Sequence, residues 1–205
     1  MDTKFVFFDL GMVLLHFDFS VAARRLDELT GLDGWDILSA TLATTNPICE
    51  AVETGKMTAE EMYQWVCETF GMTLSQKNFE TVHSNIFTPI PETWELVREL
   101  KRERFRVGIL SNVCETHWEF CRRKWPELFE LFDVPLGSFE LGARKPGREV
   151  YTLAATRAGV KPEEIIFFDD RPDNVAGAAA VGYRAHIFTT TDNARETLRE
   201  WGVLP

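Results

Sequence analysis

Four polar positions follow short apolar runs or lie in a loop between two of them. Asp9 follows Lys4–Phe8, Ser111-Asn112 follows Val107–Leu110, and Asp169-Asp170 follows Ile165–Phe168. The fourth, Lys145, lies within Gly142-Ala143-Arg144-Lys145-Pro146. Carboxylates at two such ends can share a Mg2+ ion, a hard cation that takes oxygen ligands and keeps several waters. Mn2+ suits the same oxygen donors, so the residues do not separate the two ions. A lysine ammonium and a serine hydroxyl beside that ion would hold a phosphate. Residue types alone therefore point to metal-assisted chemistry on a phosphorylated small molecule.

That chemistry needs elements that bring distant residues together. The runs Lys4–Phe8, Val107–Leu110, Ile165–Phe168 and Arg184–Phe188 are too short for helices and read as buried strands. Val134-Pro135-Leu136 reads as an edge strand, where proline is tolerated. Helical patterns alternate with them over 91–104, 115–125, 148–158 and 174–181, with Gly159 and Gly182 as stops after the last two. Alternation of this kind predicts an α/β protein with a parallel sheet between helices. Ligands of such sheets bind beyond the carboxyl ends of the strands, near the reversal of strand order. Residues 16–88 break the rhythm. Helical patterns are expected over 19–30, 35–43, 47–54, 58–70 and 75–87, with Thr58 and Glu61 as a capping pair. This segment reads as an all-helical insertion after the first strand. The core is then 1–15 with 89–205, and the cap is 16–88. Trp35, Trp65 and Phe79 are expected in the cap's interior.

Composition narrows the field. The 205 residues are 45% hydrophobic and 26% charged, ordinary for a globular chain. No apolar run approaches the roughly 18 residues of a membrane helix, and Asp2, Lys4 and Asp9 break up any secretory leader. A net charge of -10 disfavours nucleic acid and anionic membranes as partners. The cysteines at 49, 67, 114 and 121 form no CxxC pair, so reduced thiols in a cytoplasmic protein are expected. The expected assembly is a monomer or weak homodimer.

The motifs together resemble the haloacid dehalogenase superfamily of phosphohydrolases. Phe7-Phe8-Asp9-Leu10-Gly11-Met12-Val13-Leu14 is similar to its first motif and Leu110-Ser111-Asn112 to its second. Lys145-Pro146 is similar to the third, and Phe167-Phe168-Asp169-Asp170-Arg171-Pro172-Asp173-Asn174-Val175 to the fourth. The resemblance implies a Rossmann-like three-layer core with a five-stranded parallel sheet and a helical cap. It implies Asp9 as nucleophile, forming an aspartyl-phosphate. Ser111, Lys145 and the Asn112 backbone amide would bind phosphoryl oxygens, and Lys145 would offset the charge of Asp9. Asp9, Asp170, the Gly11 carbonyl and Asp169 (directly or through water) would hold Mg2+.

One position departs from the phosphatase pattern. The family's second aspartate, which protonates the leaving oxygen and later activates water, is Gly11 here. Such general acid–base help is typically worth ~10²–10⁴-fold in rate. The expected consequences are a substrate with a good leaving group, such as a sugar 1-phosphate, a substitute acid, or feeble activity. A glycine there also resembles bacterial sugar phosphatases acting on glucose 1-phosphate, although their following asparagine is Met12 here. His117, a candidate substrate contact, and His16 are the candidate substitutes, with Asp18 a further possible contact at the cap hinge. Asp173 and Asn174 are expected to order the fourth-motif loop. Arg144 and Arg171 are expected to face solvent or a surface carboxylate.

Three rival functions remain open. A metal-free dehalogenase would use the same aspartate on carbon, but it gains nothing from paired carboxylates. Phosphonate cleavage needs a cap lysine, and Lys56 lies in a turn-like stretch. A non-catalytic module would bind a phosphorylated ligand and release no phosphate.

Overall fold

The computed structural model describes residues 3–205; Met1 and Asp2, and with them Asp2's place before the first strand, lie outside the described residues. Strand β1 (Phe5–Phe8) is followed by β2 (Leu15–Phe17) and five helices: α1 (Phe19–Thr30), α2 (Gly34–Leu42), α3 (Pro47–Glu53), α4 (Ala59–Phe70) and α5 (Gln76–Ser84). The chain then returns through β3 (Phe87–Pro89), α6 (Pro91–Arg102), β4 (Arg106–Ser111), α7 (Glu115–Lys124), α8 (Pro126–Phe129) and β5 (Val134–Gly137). It ends with α9 (Ser138–Leu141), α10 (Arg148–Ala158), β6 (Ile165–Asp169), α11 (Pro172–Ala180), β7 (Arg184–Ile187) and α12 (Thr191–Glu200).

Five strands form a parallel sheet in the order β5-β4-β1-β6-β7. β1 lies at the centre because all four of its side chains are buried, as a strand covered on both faces requires. Val6 and Phe8 face one core layer with Leu96, Val97 and Leu198, whereas Phe5 and Phe7 face a second with Val150 and Tyr151. The expected α/β core with its inserted helical cap is thus the architecture observed. Phe8 pairs with Ile109 on one side and Phe168 on the other. Asp9 therefore emerges beside the ends of β4 and β6, where strand order reverses.

Local signals explain most of the helix ends. Thr58 Oγ1 accepts from the Glu61 amide while the Glu61 carboxylate accepts from the Thr58 amide, the reciprocal cap expected. Helix α10 stops at Gly159, which adopts φ 68. Helix α11 begins at Pro172, two residues earlier than expected, because proline suits the first turn.

Five local features differ from the sequence reading. Helix α5 ends at Ser84, and Phe87–Pro89 instead pairs antiparallel with Leu15–Phe17. This three-residue ribbon joins the cap to the core at both crossings. Helix α12 and the one-turn helices α8 and α9 were likewise unforeseen. Trp35 is 51% exposed rather than interior. The buried stripe of α2 is Gly34, Ile37, Leu38 and Thr41, at the spacing of one helical face, and Trp35 lies off it. A Cβ on Gly34 would stand 2.2 Å from the Ala23 carbonyl oxygen, so α1 and α2 pack at backbone contact there. Phe79 is fully buried as expected, and Trp65 is half-buried against Phe70. No helix of the described residues is long and apolar enough to cross a membrane.

Candidate active site

A cavity of about 460 Å³ opens between the ends of β1, β4 and β6 and the cap. Its floor is Asp9, one residue beyond β1. The Asp9 Oδ1 accepts from the Leu10 amide at 2.7 Å and lies 3.0 Å from Lys145 Nζ. Among the described residues, Oδ2 of Asp9 has no hydrogen-bond partner. Lys145 reaches this point from the loop after α9. Its ammonium donates to the Leu110 carbonyl at 2.8 Å and to Asp169 Oδ2 at 2.6 Å. The Asn112 side chain fixes that loop, accepting from the Lys145 amide and donating to its carbonyl, both at 2.8 Å. Asn112 is therefore a clamp on Lys145 through its side chain, a function the sequence did not reveal. Ser111 ends β4, is 4% exposed and lines the cavity, and its hydroxyl makes no hydrogen bond among the described residues.

The three carboxylates expected at the metal come together. One oxygen from each of Asp9, Asp169 and Asp170 lies within 4.8 Å of the others. Asp169 is saturated: Oδ1 accepts from the Arg171 amide and Asn174 Nδ2, and Oδ2 from Lys145 and Asn174 Nδ2. A carboxylate offers about four lone-pair sites. Asn174 thus orients Asp169, and Asp173 pairs with Arg171 at 3.0 Å, the surface ion pair expected of that arginine.

Three carboxylates, two of them buried, face one ammonium here, a formal excess of two negative charges when all are ionised. Burial, then the charge of Asp169, raises the Asp9 pKa to about 7 against the opposing pull of Lys145. Asp170 is raised by the same two causes. Burial works against the charge on Lys145, but Asp9 and Asp169 outweigh it and hold the ammonium above its usual range. An all-oxygen donor set with this excess charge fits a hard divalent cation. Gly11 lines the cavity beside Asp9.

The cap half of the cavity is mostly apolar, with Phe17, Phe19, Leu42 and Val52 among its walls. His117 lines it too, but its Nε2 lies 3.1 Å from the His83 carbonyl oxygen, so that nitrogen carries the proton and donates. Burial lowers its pKa to about 4. A neutral ring with Nε2–H committed can only accept through Nδ1, so His117 is not a substitute acid. His16 is exposed on β2, and Asp18 caps α1 by accepting from the Ser20 amide; neither lines the cavity. Lys56 is exposed in the turn after α3.

Arg144 corrects an expectation. Its side chain is 22% exposed, pairs with Glu53 of the cap at 2.8 Å and donates to the Thr44 carbonyl at 2.9 Å. It therefore ties the core loop carrying Lys145 to the cap, inside the cavity. Burial raises the pKa of Glu53 against the pull of Arg144. Burial, reinforced by Glu53, pushes the thiol of Cys49 up to about 12. Glu53 and Cys49 have no sequence signature as site residues, because a glutamate and a cysteine on an amphipathic helix carry no motif.

Residues 4–182 match the haloacid dehalogenase-like hydrolases, and the chain belongs to that family. It is accordingly a hydrolase. It is 26% identical to a phosphatase of Mycobacterium tuberculosis across 96% of this chain and 92% of the relative. It is also 26% identical to a sesquiterpene phosphatase of Aspergillus oryzae across 87% of this chain and 86% of the relative. A family enzyme of Bacteroides thetaiotaomicron, solved with magnesium and inorganic phosphate, superposes with a TM-score of 0.79. It is 22% identical and the match covers 91% of this chain and 94% of that one.

Proposed function

We propose that the protein is a Mg2+-dependent phosphatase of small phosphorylated metabolites that works through an aspartyl-phosphate on Asp9. The observation that carries this reading is the floor of the cavity: Asp9 with one oxygen unengaged, Lys145 at 3.0 Å and two further carboxylates beside them. Asp9 Oδ2 attacks phosphorus in line, and the bond to the leaving oxygen breaks with its electron pair on that oxygen. Water then attacks the phosphoryl group, releasing phosphate and restoring the carboxylate. Lys145 holds Asp9 in place and offsets its charge. Ser111 Oγ and the Asn112 amide take phosphoryl oxygens. Asp9, Asp170 and the Gly11 carbonyl would hold the ion, and Asp169, whose four sites are filled, would accept from a metal-bound water only in exchange for one of its two Asn174 hydrogen bonds. A bound divalent ion supplies positive charge to the phosphoryl oxygens. Mn2+ would serve the same donors.

With glycine at position 11, the leaving oxygen departs as an anion and takes its proton from solvent. That favours sugar 1-phosphates, whose anomeric oxygen leaves well, in keeping with the glucose-1-phosphate phosphatases whose motifs this sequence resembles. Thr44 and the Arg144–Glu53 pair offer partners for hydroxyls along the wall. A second reading, esters of apolar alcohols, is favoured by Phe17, Phe19 and Leu42 in the wall and by the relative named for sesquiterpenes. The metal-free dehalogenase is disfavoured by the excess of two negative charges. The free thiols of Cys49, Cys67, Cys114 and Cys121 suit a reducing, cytoplasmic setting.

The test is phosphate release from sugar 1-phosphates, sugar 6-phosphates, nucleotides and an aryl phosphate. Each is run with Mg2+, with chelator and with Asp9→Asn. Metal-dependent release that disappears in the variant is expected. Unchanged release by Asp9→Asn would remove the nucleophile assignment. Ligand binding without release from any ester would make the protein a binding module.

A further inference from the structure

The place of the missing acid is occupied. A Cβ added to Gly11 would stand 2.9 Å from Cε1 and 3.3 Å from Cδ1 of Phe17. The Phe17 ring therefore lies in the space into which any side chain at position 11 would extend. It is held there by the ribbon: Phe17 ends β2 opposite Phe87, with ring centroids 4.9 Å from Phe19 and 6.3 Å from Phe87. All three rings line the cavity with Gly11.

In-line attack by Asp9 sends the leaving oxygen away from the floor, toward the cap half where these rings stand. Three polar groups of that half hold their protons elsewhere. Thr41 Oγ1 donates to the Ile37 carbonyl at 2.9 Å, and His117 donates to His83. The Arg144 guanidinium donates to the Glu53 carboxylate and the Thr44 carbonyl.

We propose that Phe17 is the specificity-determining residue of this site. Its ring stands against the first atoms of the leaving group and selects phosphate esters that present an aryl ring or other apolar face there. Because it fills the acid's space, it also restricts turnover to groups that depart without a proton from the enzyme. This rests on the phosphatase reading above. The ring acts by contact and by filling the acid's space, so its loss should move substrate preference, not the need for Asp9 or metal, and the dependence on leaving-group acidity should change only when its removal is combined with an acid at position 11.

The experiment measures kcat and KM with Mg2+ for a series of substituted phenyl phosphates and for glycerol 3-phosphate. The proteins are the parent, Phe17→Leu, Phe17→Ala, Gly11→Asp and Gly11→Asp with Phe17→Ala. Phe17→Leu keeps apolar bulk in the ribbon and guards against a cap that fails to fold. For Phe17→Leu, KM for the aryl esters should rise roughly fivefold, the scale of one lost aromatic contact, with the leaving-group slope of log kcat unchanged. Gly11→Asp alone should be impaired by the clash. The double variant should show a flatter slope and a gain on glycerol 3-phosphate of ~10²-fold over Phe17→Ala, the low end of acid catalysis. A parent that releases phosphate in an Asp9-dependent way, with slope and KM unmoved by every Phe17 change, would overturn the role of Phe17 alone. A parent that releases none would overturn the phosphatase reading and this proposal with it.

Discussion

The two halves of the cavity are built in opposite ways. On the core side, charged groups converge at strand ends and hold one another: Lys145 has three oxygen partners, Asp169 has four hydrogen bonds, and Asn112 clamps the loop between them. On the cap side, aromatic rings on a three-residue ribbon and short helices form the wall, and the polar groups satisfy each other. On the proposed reading the first half would treat a phosphoryl group alike in any ester, and the second would meet the part of the substrate that differs. Reaction type and substrate choice would then answer to different kinds of mutation.

The largest effect should come from breaking the core half. Lys145→Met leaves Asp9 and Asp169 buried with no cation between them. Removing one partner of a buried ion pair costs about 3–5 kcal/mol. The variant should unfold at lower denaturant in chelator and recover part of the loss in Mg2+, which can replace the missing charge. Equal stability of variant and parent in chelator would show that the three carboxylates do not repel as the geometry implies.

The seam between the halves should give the next effect. His117 of α7 stacks on His83 of α5, with centroids 4.6 Å apart. Burial holds His117 at about 4, against an ordinary value of 6.5, and holds His83 well below that value too. Between pH 6.5 and pH 4 the unfolded chain therefore binds more protons than the folded one. Stability is complete above 6.5 and is lost as pH falls through that window. The loss is on the order of 3 kcal/mol for His117 alone. Thermal unfolding across the range should show Tm falling with acid beyond the loss in a His117→Phe variant. Parallel profiles for the two proteins would place His117 in water.

The contrast also explains what was readable in the sequence. Asp9, Ser111, Lys145 and Asp169-Asp170 were legible because each follows a buried apolar run or lies in a loop between runs, and a parallel sheet must bring such ends together. The five-stranded sheet and the helical insertion followed from the same alternation. The ribbon was not legible: Leu15–Phe17 and Phe87–Pro89 are too short to show a period of two, and Phe87 continued a helical pattern. The tie made by Arg144 has no local signature, because its partner Glu53 lies 91 positions away on a helix whose glutamates look solvent-facing. Phe17 carried no signal of its own beside the more conspicuous His16 and Asp18. The core half is written in local sequence; the cap half is written in contacts between segments.

The smallest expected effect lies on the loop that joins the halves. Met12 adopts φ 57, in the left-handed region, and its amide donates to the Leu15 carbonyl at 2.7 Å. That conformation costs an ordinary side chain roughly 1–2 kcal/mol, and less for asparagine, whose short polar side chain tolerates it. The identity of residue 12 therefore has a backbone meaning before any meaning for substrate. Met12 is 36% exposed and is not part of the cavity wall. Met12→Asn should raise stability by up to about 1 kcal/mol in denaturant titration and leave the order of preferred substrates as it was. Phe17→Leu should do the reverse, changing the order with a smaller gain or a loss in stability. If Met12→Asn reorders the substrates, the loop after Asp9 helps choose the leaving group, and the division between a core that reacts and a cap that selects must be drawn beyond residue 12.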